Sequence, residues 1–282
     1  TLIDYSKKGR ITNINYKTKM TYISENKQSF GRVAKDYKKH RGSYNNKLYE
    51  KLFKLIGKNK GNTISILDLG CGVGNSTEPI LLMAKKLKVP VSITGCDPDA
   101  SMLIEARKSA KKNKLPIEYT EGRAEKLPFE KEHFDIIISG AAFHWFATSK
   151  AMKEIKRVLK HDGMYFVFWT QNKKDKKPTI GYELYKKYKF QGIPKNLRDP
   201  ESIKNIFSTN GFKKVNIIKF PYIETKTIKE TLGLIKTNSG YAVLSEEEKK
   251  IFMKEMEKEY KEKLKKNMNI LRQEIHICYG FK

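Results

Sequence analysis

Three glycines at alternate positions, Gly70, Gly72 and Gly74, follow an apolar run rich in β-branched residues. Glycine is the residue that lets a backbone turn tightly and lets a ligand approach where a Cβ atom would collide. Ser76 and Thr77 follow and can open a helix, whose free N–H groups favour an anionic ligand group. The pattern predicts a buried parallel strand that ends in a ligand-binding loop.

The spacing of the glycines limits the kind of ligand. A dinucleotide fingerprint requires G-x-G-x-x-G, but here the third glycine comes one residue early and Asn75 occupies the last position. Asp68 precedes the loop, and a second predicted strand, 91–96, is followed by Asp97. That separation is the one at which an acidic side chain meets a ribose diol in this architecture. The two strand ends therefore indicate a nucleoside, and they disfavour a nicotinamide dinucleotide.

The segments 68–74 and 95–102 resemble the class I S-adenosylmethionine-dependent methyltransferases. The resemblance implies S-adenosylmethionine as the cofactor, with the glycine loop around its methionine moiety, Asp97 on the ribose hydroxyls and Met102 beside the adenine. It also implies an α/β fold: a Rossmann-like seven-stranded sheet, mostly parallel with the last strand antiparallel, with helices on both faces and helical cap insertions. A tight strand-to-helix turn without a ligand is the alternative for the loop.

The loop after the third predicted strand contacts the adenine edge in this family, often through an acidic side chain just before an alanine. Here that position is Arg123, which leaves Ala124 and Glu125 as the candidates. The residues expected to bind the cofactor are Asp68, Gly70, Gly72, Gly74, Asp97, Pro98, Met102, Ala124, Glu125 and Gly140.

An aromatic loop follows the fourth predicted strand, 134–139, and contains Phe143, His144 and Trp145. Ligands collect at the carboxyl ends of strands in open α/β sheets, so this loop is expected to face the transferred methyl group. His144 is the candidate catalytic residue, either as a base or as a group that positions the acceptor. Core packing beneath the loop is the alternative for its rings.

Segments 30–37 and 41–44 resemble the short N-terminal helices that close over the cofactor in small-molecule methyltransferases of the type 11 and trans-aconitate methyltransferase-like group. The segment 237–241 resembles one that borders the substrate in the latter. Ordinary helix packing is the alternative for the tyrosines in these segments. The expected substrate-lining residues are Tyr37, Tyr44, Phe143, His144, Trp145 and Tyr241.

The expected organisation is an N-terminal extension, 1–29, followed by a methyltransferase domain, 30–282. Two segments break the strand–helix alternation, and we expect cap insertions at about 172–200 and 227–266. A helix that begins near Ala151 is expected to be stopped by Gly163.

The composition limits the classes of partner. The formal net charge is +27, but the excess is almost all lysine and is spread along the chain, which favours a solvated surface over a nucleic-acid site. Three scattered cysteines and dispersed histidines predict neither a disulfide framework nor a metal site. No apolar run is long enough to span a membrane, so a cytoplasmic location is expected. The oligomeric state stays open.

The sequence therefore predicts an enzyme that transfers a methyl group from S-adenosylmethionine to a small-molecule acceptor, such as a carboxylate or hydroxyl oxygen. No specific nucleic-acid partner and no membrane partner are expected. Three alternatives remain: an RNA methyltransferase that uses the lysine-rich surface, a disfavoured NAD-type oxidoreductase, and a catalytically idle cofactor-binding protein.

Overall fold

A computed structural model describes residues 33–57, 61–172, 179–190, 195–264 and 267–282. Its centre is one seven-stranded sheet of order β3-β2-β1-β4-β5-β7-β6, in which β1 to β5 pair in parallel and β7 is antiparallel to both of its neighbours. The expected fold is confirmed. The predicted extension, 1–29, lies outside the described residues.

The strands are β1 (Ile64–Leu69), β2 (Val91–Asp97), β3 (Glu118–Glu121), β4 (Phe134–Gly140), β5 (Leu159–Asn172), β6 (Lys213–Thr227) and β7 (Met268–Phe281). The helices that precede or connect the first five strands are α1 (Ala34–His40), α2 (Asn46–Ile56), α3 (Thr77–Leu87), α4 (Ala100–Lys112) and α5 (Ser149–Val158). The later helices are α6 (Tyr182–Lys187), α7 (Pro200–Thr209), α8 (Ile228–Lys236), α9 (Ser239–Ala242) and α10 (Glu246–Lys263).

Strand β1 is buried on both faces of the sheet. Leu67 and Leu69 contribute to an apolar core that contains the buried residues of α5 and α7, whereas Ile64 and Ile66 contribute to a second core with α2 and α3. Successive side chains of a strand point to opposite faces, so a continuous apolar run can supply both cores. The carboxyl end of β1 is thereby fixed in the middle of the sheet.

Helix α5 ends earlier than the sequence suggested. It stops at Val158, and Leu159 is already extended and pairs with Phe134 of β4. The chain then turns through Asp162, whose φ of +58° is left-handed, before Met164 resumes pairing with β4. The prediction that Gly163 stops the helix was wrong, because pairing with β4 ends the helix before the glycine is reached.

Strands β6 and β7 extend beyond the rest of the sheet. Among the described residues, pairing of β5 with β7 ends at Asn172 and Gln273, whereas β6 and β7 stay paired as far as Thr227 and Met268. Helices α8, α9 and α10 follow the end of this two-stranded ribbon and share a small apolar core around Phe252.

The helices after the ribbon also contact the N-terminal part of the chain. A Cβ atom at Gly233 of α8 would lie 2.5 Å from Cε1 of His40, at the end of α1. Because only a glycine leaves room for this ring, α1 and α8 pack closely and together cover the carboxyl edge of the sheet.

No helix in the described ranges is both long and apolar enough to cross a membrane. The same part of the chain contains no group of three histidine, cysteine, aspartate or glutamate side chains that could hold a metal ion.

Candidate active site

The glycine loop after β1 adopts a backbone that other residues rarely tolerate. Gly70, Gly72 and Gly74 have φ values of +77°, +53° and +79°. A Cβ atom at Gly70 would lie 2.5 Å from Cβ of Ala142, and one at Gly74 would overlap the hydroxyl group of Tyr119. The first of these glycines therefore allows close approach to the loop after β4, and the third allows close packing against β3.

Asp68 holds the start of α3 in place. It is fully buried, and its Oδ2 atom accepts hydrogen bonds from Ser76 Oγ at 2.7 Å and from Thr77 Oγ1 at 2.6 Å. Burial raises the pKa of Asp68 to about 6, and the two hydroxyl hydrogen bonds oppose this shift. The carboxyl group thus fixes the loop from beneath and does not line the cavity described below.

Asp97 connects the two loops that follow β1 and β2. Its Oδ2 atom accepts from the backbone N–H of Gly72, and its Oδ1 atom accepts from that of Asp99, both at 2.9 Å. Burial raises the pKa of Asp97 to about 6 against these hydrogen bonds. Asp99 caps α4 by accepting hydrogen bonds from the N–H groups of Ser101 and Met102.

A cavity of about 600 Å³ opens at the carboxyl edge of the sheet, beside the ends of β1, β2, β4 and β5. This is the place where ligands bind in open α/β sheets, and the size is typical of a small-molecule site. The predicted site residues that line it are Tyr37, Tyr44, Gly70, Gly72, Asp97, Pro98, Met102, Ala124, Glu125, Gly140, Phe143, His144 and Trp145.

Three predicted site residues do not line the cavity: Asp68, Gly74 and Tyr241. Asp68 lies beneath the loop, where it binds Ser76 and Thr77, and Gly74 lies in the loop itself but packs against Tyr119 of β3. The Tyr241 ring packs in the small core of the helices beyond the ribbon, with its centroid 6.0 Å from that of Phe252. Asn238 and Ser239, which precede Tyr241 in α9 and its cap, line the cavity instead.

The aromatic loop forms one turn of 3-10 helix, Phe143–Trp145. Phe143 is buried, and its ring packs edge to face against Tyr165 and Phe207. His144 and Trp145 are only half-buried, and their ring centroids lie 4.8 Å apart. The loop is therefore anchored by Phe143, while the next two side chains border the cavity.

His144 lies in surroundings that oppose protonation. Burial, together with the positive charges of Arg198 and Arg41, lowers the pKa of His144 to about 3. The imidazole is consequently neutral at physiological pH and has little capacity to abstract a proton. This environment favours a positioning role over that of a base.

Arg41, between α1 and α2, joins three parts of the site. Its Nε atom donates to Thr237 Oγ1 at 3.0 Å, its carbonyl accepts from Asn75 Nδ2 at 2.5 Å, and its guanidinium lies 5.0 Å from the ring centroid of Tyr37. Tyr44 packs edge to face on Phe168 at 4.9 Å. The segment 41–44 thus connects the cofactor loop to the helices beyond the ribbon.

Several cavity-lining residues were missed by reasoning from the sequence. Alternate residues of the ribbon face the cavity: Tyr222, Glu224, Lys226, Leu271 and Gln273. These side chains are aromatic, charged, aliphatic and amide in turn, so the sequence shows no single pattern that marks this face. Arg198 lies in a short connection before α7, and its local sequence carries no signal for a site.

The residues present fit S-adenosylmethionine. At the first glycines of the loop the backbone itself lines the cavity, and a Cβ atom at Gly72 would lie 3.1 Å from Cε of Met102. Asp97 offers a carboxylate at the edge of the same space. A side chain at either glycine would narrow the cradle that a nucleoside and its methionine tail require.

Comparison with known proteins supports this assignment. Residues 67–167 match a family profile described as a methyltransferase domain. The chain is 33% identical over 193 residues to an uncharacterized methyltransferase-like protein of Schizosaccharomyces pombe, covering 66% of this chain and 69% of that protein. It is 30% identical over 186 residues to a demethylmenaquinone methyltransferase of Lactococcus lactis, covering 60% of this chain and 69% of that protein.

The fold is similar to that of solved methyltransferases. The structure of a putative type II methyltransferase from Anaeromyxobacter dehalogenans superposes with a TM-score of 0.57 at 16% identity, over 86% of this chain and 97% of that one. The sheet order, the glycine loop and these relatives agree: the chain belongs to the class I S-adenosylmethionine-dependent methyltransferases.

Proposed function

We propose that the enzyme methylates a small-molecule acceptor that is enclosed between the carboxyl edge of the sheet and a cap made of α1 and α8 to α10. The observation that carries this proposal is the cavity of about 600 Å³, which is lined from both sides and continues past the glycine loop to His144. A cavity of that size suits a cofactor with a compact acceptor and leaves no room for a folded nucleic acid. The relative from Lactococcus lactis, named for the acceptor demethylmenaquinone, supports the same class.

The proposed cofactor contacts follow from the positions of the side chains. Asp97 would accept hydrogen bonds from the ribose hydroxyls, Met102 and Ala124 would flank the adenine, and the backbone at Gly70 and Gly72 would surround the methionine moiety; all of these residues line the cavity. When bound, S-adenosylmethionine supplies a methyl group on a sulfonium that is already a good leaving group. The protein's contribution is then mainly to hold the acceptor atom in line, since alignment lowers the barrier without a dedicated base.

The acceptor half of the cavity is assigned to His144, Trp145, Tyr37 and Tyr44, with a carboxylate or hydroxyl oxygen as the proposed attacked atom. The indole of Trp145 offers an aromatic face to a cationic centre, which is worth about 0.5–2 kcal/mol. Neutral His144 can accept or donate one hydrogen bond to the acceptor. The resemblance of segments 30–37 and 41–44 supports placement in the trans-aconitate methyltransferase-like group.

We also propose that residues 30–282 act as one methyltransferase domain. The cap insertions would be the segments at about 172–200 and 227–266, of which the described parts contain α6 and α8 to α10.

The choice between a small molecule and RNA can be tested with labelled S-adenosylmethionine. We expect label to enter a small-molecule cell extract and not an RNA fraction from the same cells. Any RNA binding should be electrostatic and should collapse at physiological ionic strength, because release of counterions governs such contacts. Sequence-selective methylation of RNA that persists at physiological salt would overturn the proposal.

The positioning role of His144 predicts how its ring titrates. We expect the His144 imidazole to stay neutral between about pH 5 and pH 9, because burial and two nearby guanidinium groups lower its pKa to about 3. The NMR chemical shifts of its ring protons, assigned with a His144→Ala variant, measure this directly. If His144 instead titrates near the ordinary pKa of histidine, the result would support its role as a general base.

A further inference from the structure

The charges that line the cavity are separated along the sheet edge. Asp97 ends β2 and Asp99 follows it, and β2 is two positions from β4 in the sheet. Glu125 follows β3, which is farther still. The remaining acidic residue, Glu224, is paired with Lys226 at 2.6 Å. The end of the cavity around His144 therefore has no free carboxylate within the described residues.

Two arginines lie at that end. Arg198 and Arg41 both line the cavity, and the positive charges of both act on His144. Arg198 is half-buried, and within the described part of the chain it has no hydrogen-bond or ion-pair partner. Arg41 uses Nε to hold Thr237, but no carboxylate among the described residues pairs with its guanidinium.

A partly buried guanidinium without a partner is unfavourable in free energy unless a ligand pairs with it. Removing an ion from water without a partner is unfavourable, and surface arginines usually extend into solvent. Arginine also presents a planar set of donors that matches the oxygens of a carboxylate or phosphate. The surroundings add a further donor, because Trp169 lines the same cavity and its buried Nε1 has no partner among the described residues.

We propose that Arg198 and Arg41 form an anion-binding subsite that holds a carboxylate or phosphate group of the methyl acceptor beside His144. The inference rests on the proposed function, since it assigns the far end of that cavity to the acceptor. It makes Arg198 a specificity-determining residue: acceptors that carry an oxyanion are held, and neutral analogues are not. Arg41 also ties the subsite to the cap through Thr237.

Intrinsic tryptophan fluorescence can measure binding at this site, because the two tryptophans of the chain, Trp145 and Trp169, both line the cavity. The probes are glutarate, inorganic phosphate and the neutral glutaramide, each titrated with and without S-adenosylhomocysteine. We expect glutarate or phosphate to change the fluorescence saturably and glutaramide to have no effect. The tighter of the two anions identifies the group that the acceptor carries.

The variants are Arg198→Gln, Arg198→Lys and the control Arg272→Gln, which removes an exposed arginine that does not line the cavity. We expect Arg198→Gln to weaken binding of the preferred anion by about ten- to a hundredfold, the effect of losing a charge-assisted hydrogen bond. Arg198→Lys should lose less affinity for the anion, because lysine keeps the positive charge although it lacks the planar pair of donors. Arg272→Gln should match the wild type.

Calorimetry with S-adenosylhomocysteine separates the two claims. Arg198→Gln should bind it as tightly as the wild type, because the guanidinium contacts the acceptor and not the cofactor. If Arg198→Gln binds the anions normally, if neither anion binds the wild type, if glutaramide binds equally well, or if the variant loses S-adenosylhomocysteine instead, the anion subsite is wrong. Failure of the wild type to bind S-adenosylhomocysteine would contradict the proposed function itself.

Discussion

Replacement of Asp97 by alanine is expected to weaken the binding of S-adenosylhomocysteine by about ten- to a hundredfold. In the proposed site the carboxylate would accept hydrogen bonds from the ribose hydroxyls, and it already accepts from the N–H groups of Gly72 and Asp99. Alanine therefore removes both a ligand contact and the connection between two loops. Isothermal titration calorimetry gives the change in affinity, and a thermal melt shows whether the variant stays folded.

The same carboxyl group predicts a pH dependence of binding. Burial raises the pKa of Asp97 to about 6, so the carboxylate becomes protonated as the pH falls through that value. The ionised form is the stronger acceptor, and affinity should therefore rise with pH through about 6 and level off above it. Asp97→Asn keeps the shape and should lose this dependence. Any pH dependence of binding that remains in Asp97→Asn near pH 6 would be due to protonation of Asp68, whose pKa is also raised to about 6. If Asp97→Ala binds S-adenosylhomocysteine as tightly as the wild type, Asp97 does not hold the cofactor.

Replacement of Gly70 by alanine is expected to destabilise the protein by about 2–5 kcal/mol. The left-handed backbone costs about 1–2 kcal/mol for a residue with a side chain, and overpacking adds about 1–3 kcal/mol. The overlap is specific: φ is +77°, and the new Cβ would lie 2.5 Å from that of Ala142. Relief would require the loop after β4 to move, so the cofactor cradle and the aromatic loop should be displaced together.

Denaturant unfolding measures this loss, with Gly42→Ala as the matched control. Gly42 also lines the cavity, but a Cβ there would meet nothing within 4 Å and its φ is not left-handed. The control should therefore lie within about 0.5 kcal/mol of the wild type. If the two alanine variants unfold alike, the close contact between the loops after β1 and β4 has no energetic role.

The strands and the cofactor side of the cavity could be predicted because their signals are local. The apolar run before Gly70 predicts β1, and Asp97 lies at the carboxyl end of β2, where it is the last residue of the strand. Each of these features depends on a few adjacent residues. The Asp68 carboxylate could be located at the strand end, but its direction, toward Ser76 and Thr77 and away from the cavity, depends on packing.

The acceptor side could be predicted only in part, because it is assembled from distant segments. Arg41 and Arg198 are far apart in sequence, and their proximity to His144 depends on how α1 and the connection before α7 cover the sheet edge. The position of Tyr241 depends on the core around Phe252, which a short sequence match does not encode. The end of α5 was likewise decided by strand pairing beyond the helix.

The most direct test of the methyl-transfer site is a crystal structure with S-adenosylhomocysteine bound. We predict that its ribose hydroxyls lie on Asp97, its adenine lies between Met102 and Ala124, and its sulfur faces the side of the cavity that contains His144. The space beyond the sulfur should then be bounded by His144 and Arg198. A ligand bound outside this cavity, or one whose sulfur points away from the aromatic loop, would contradict the account.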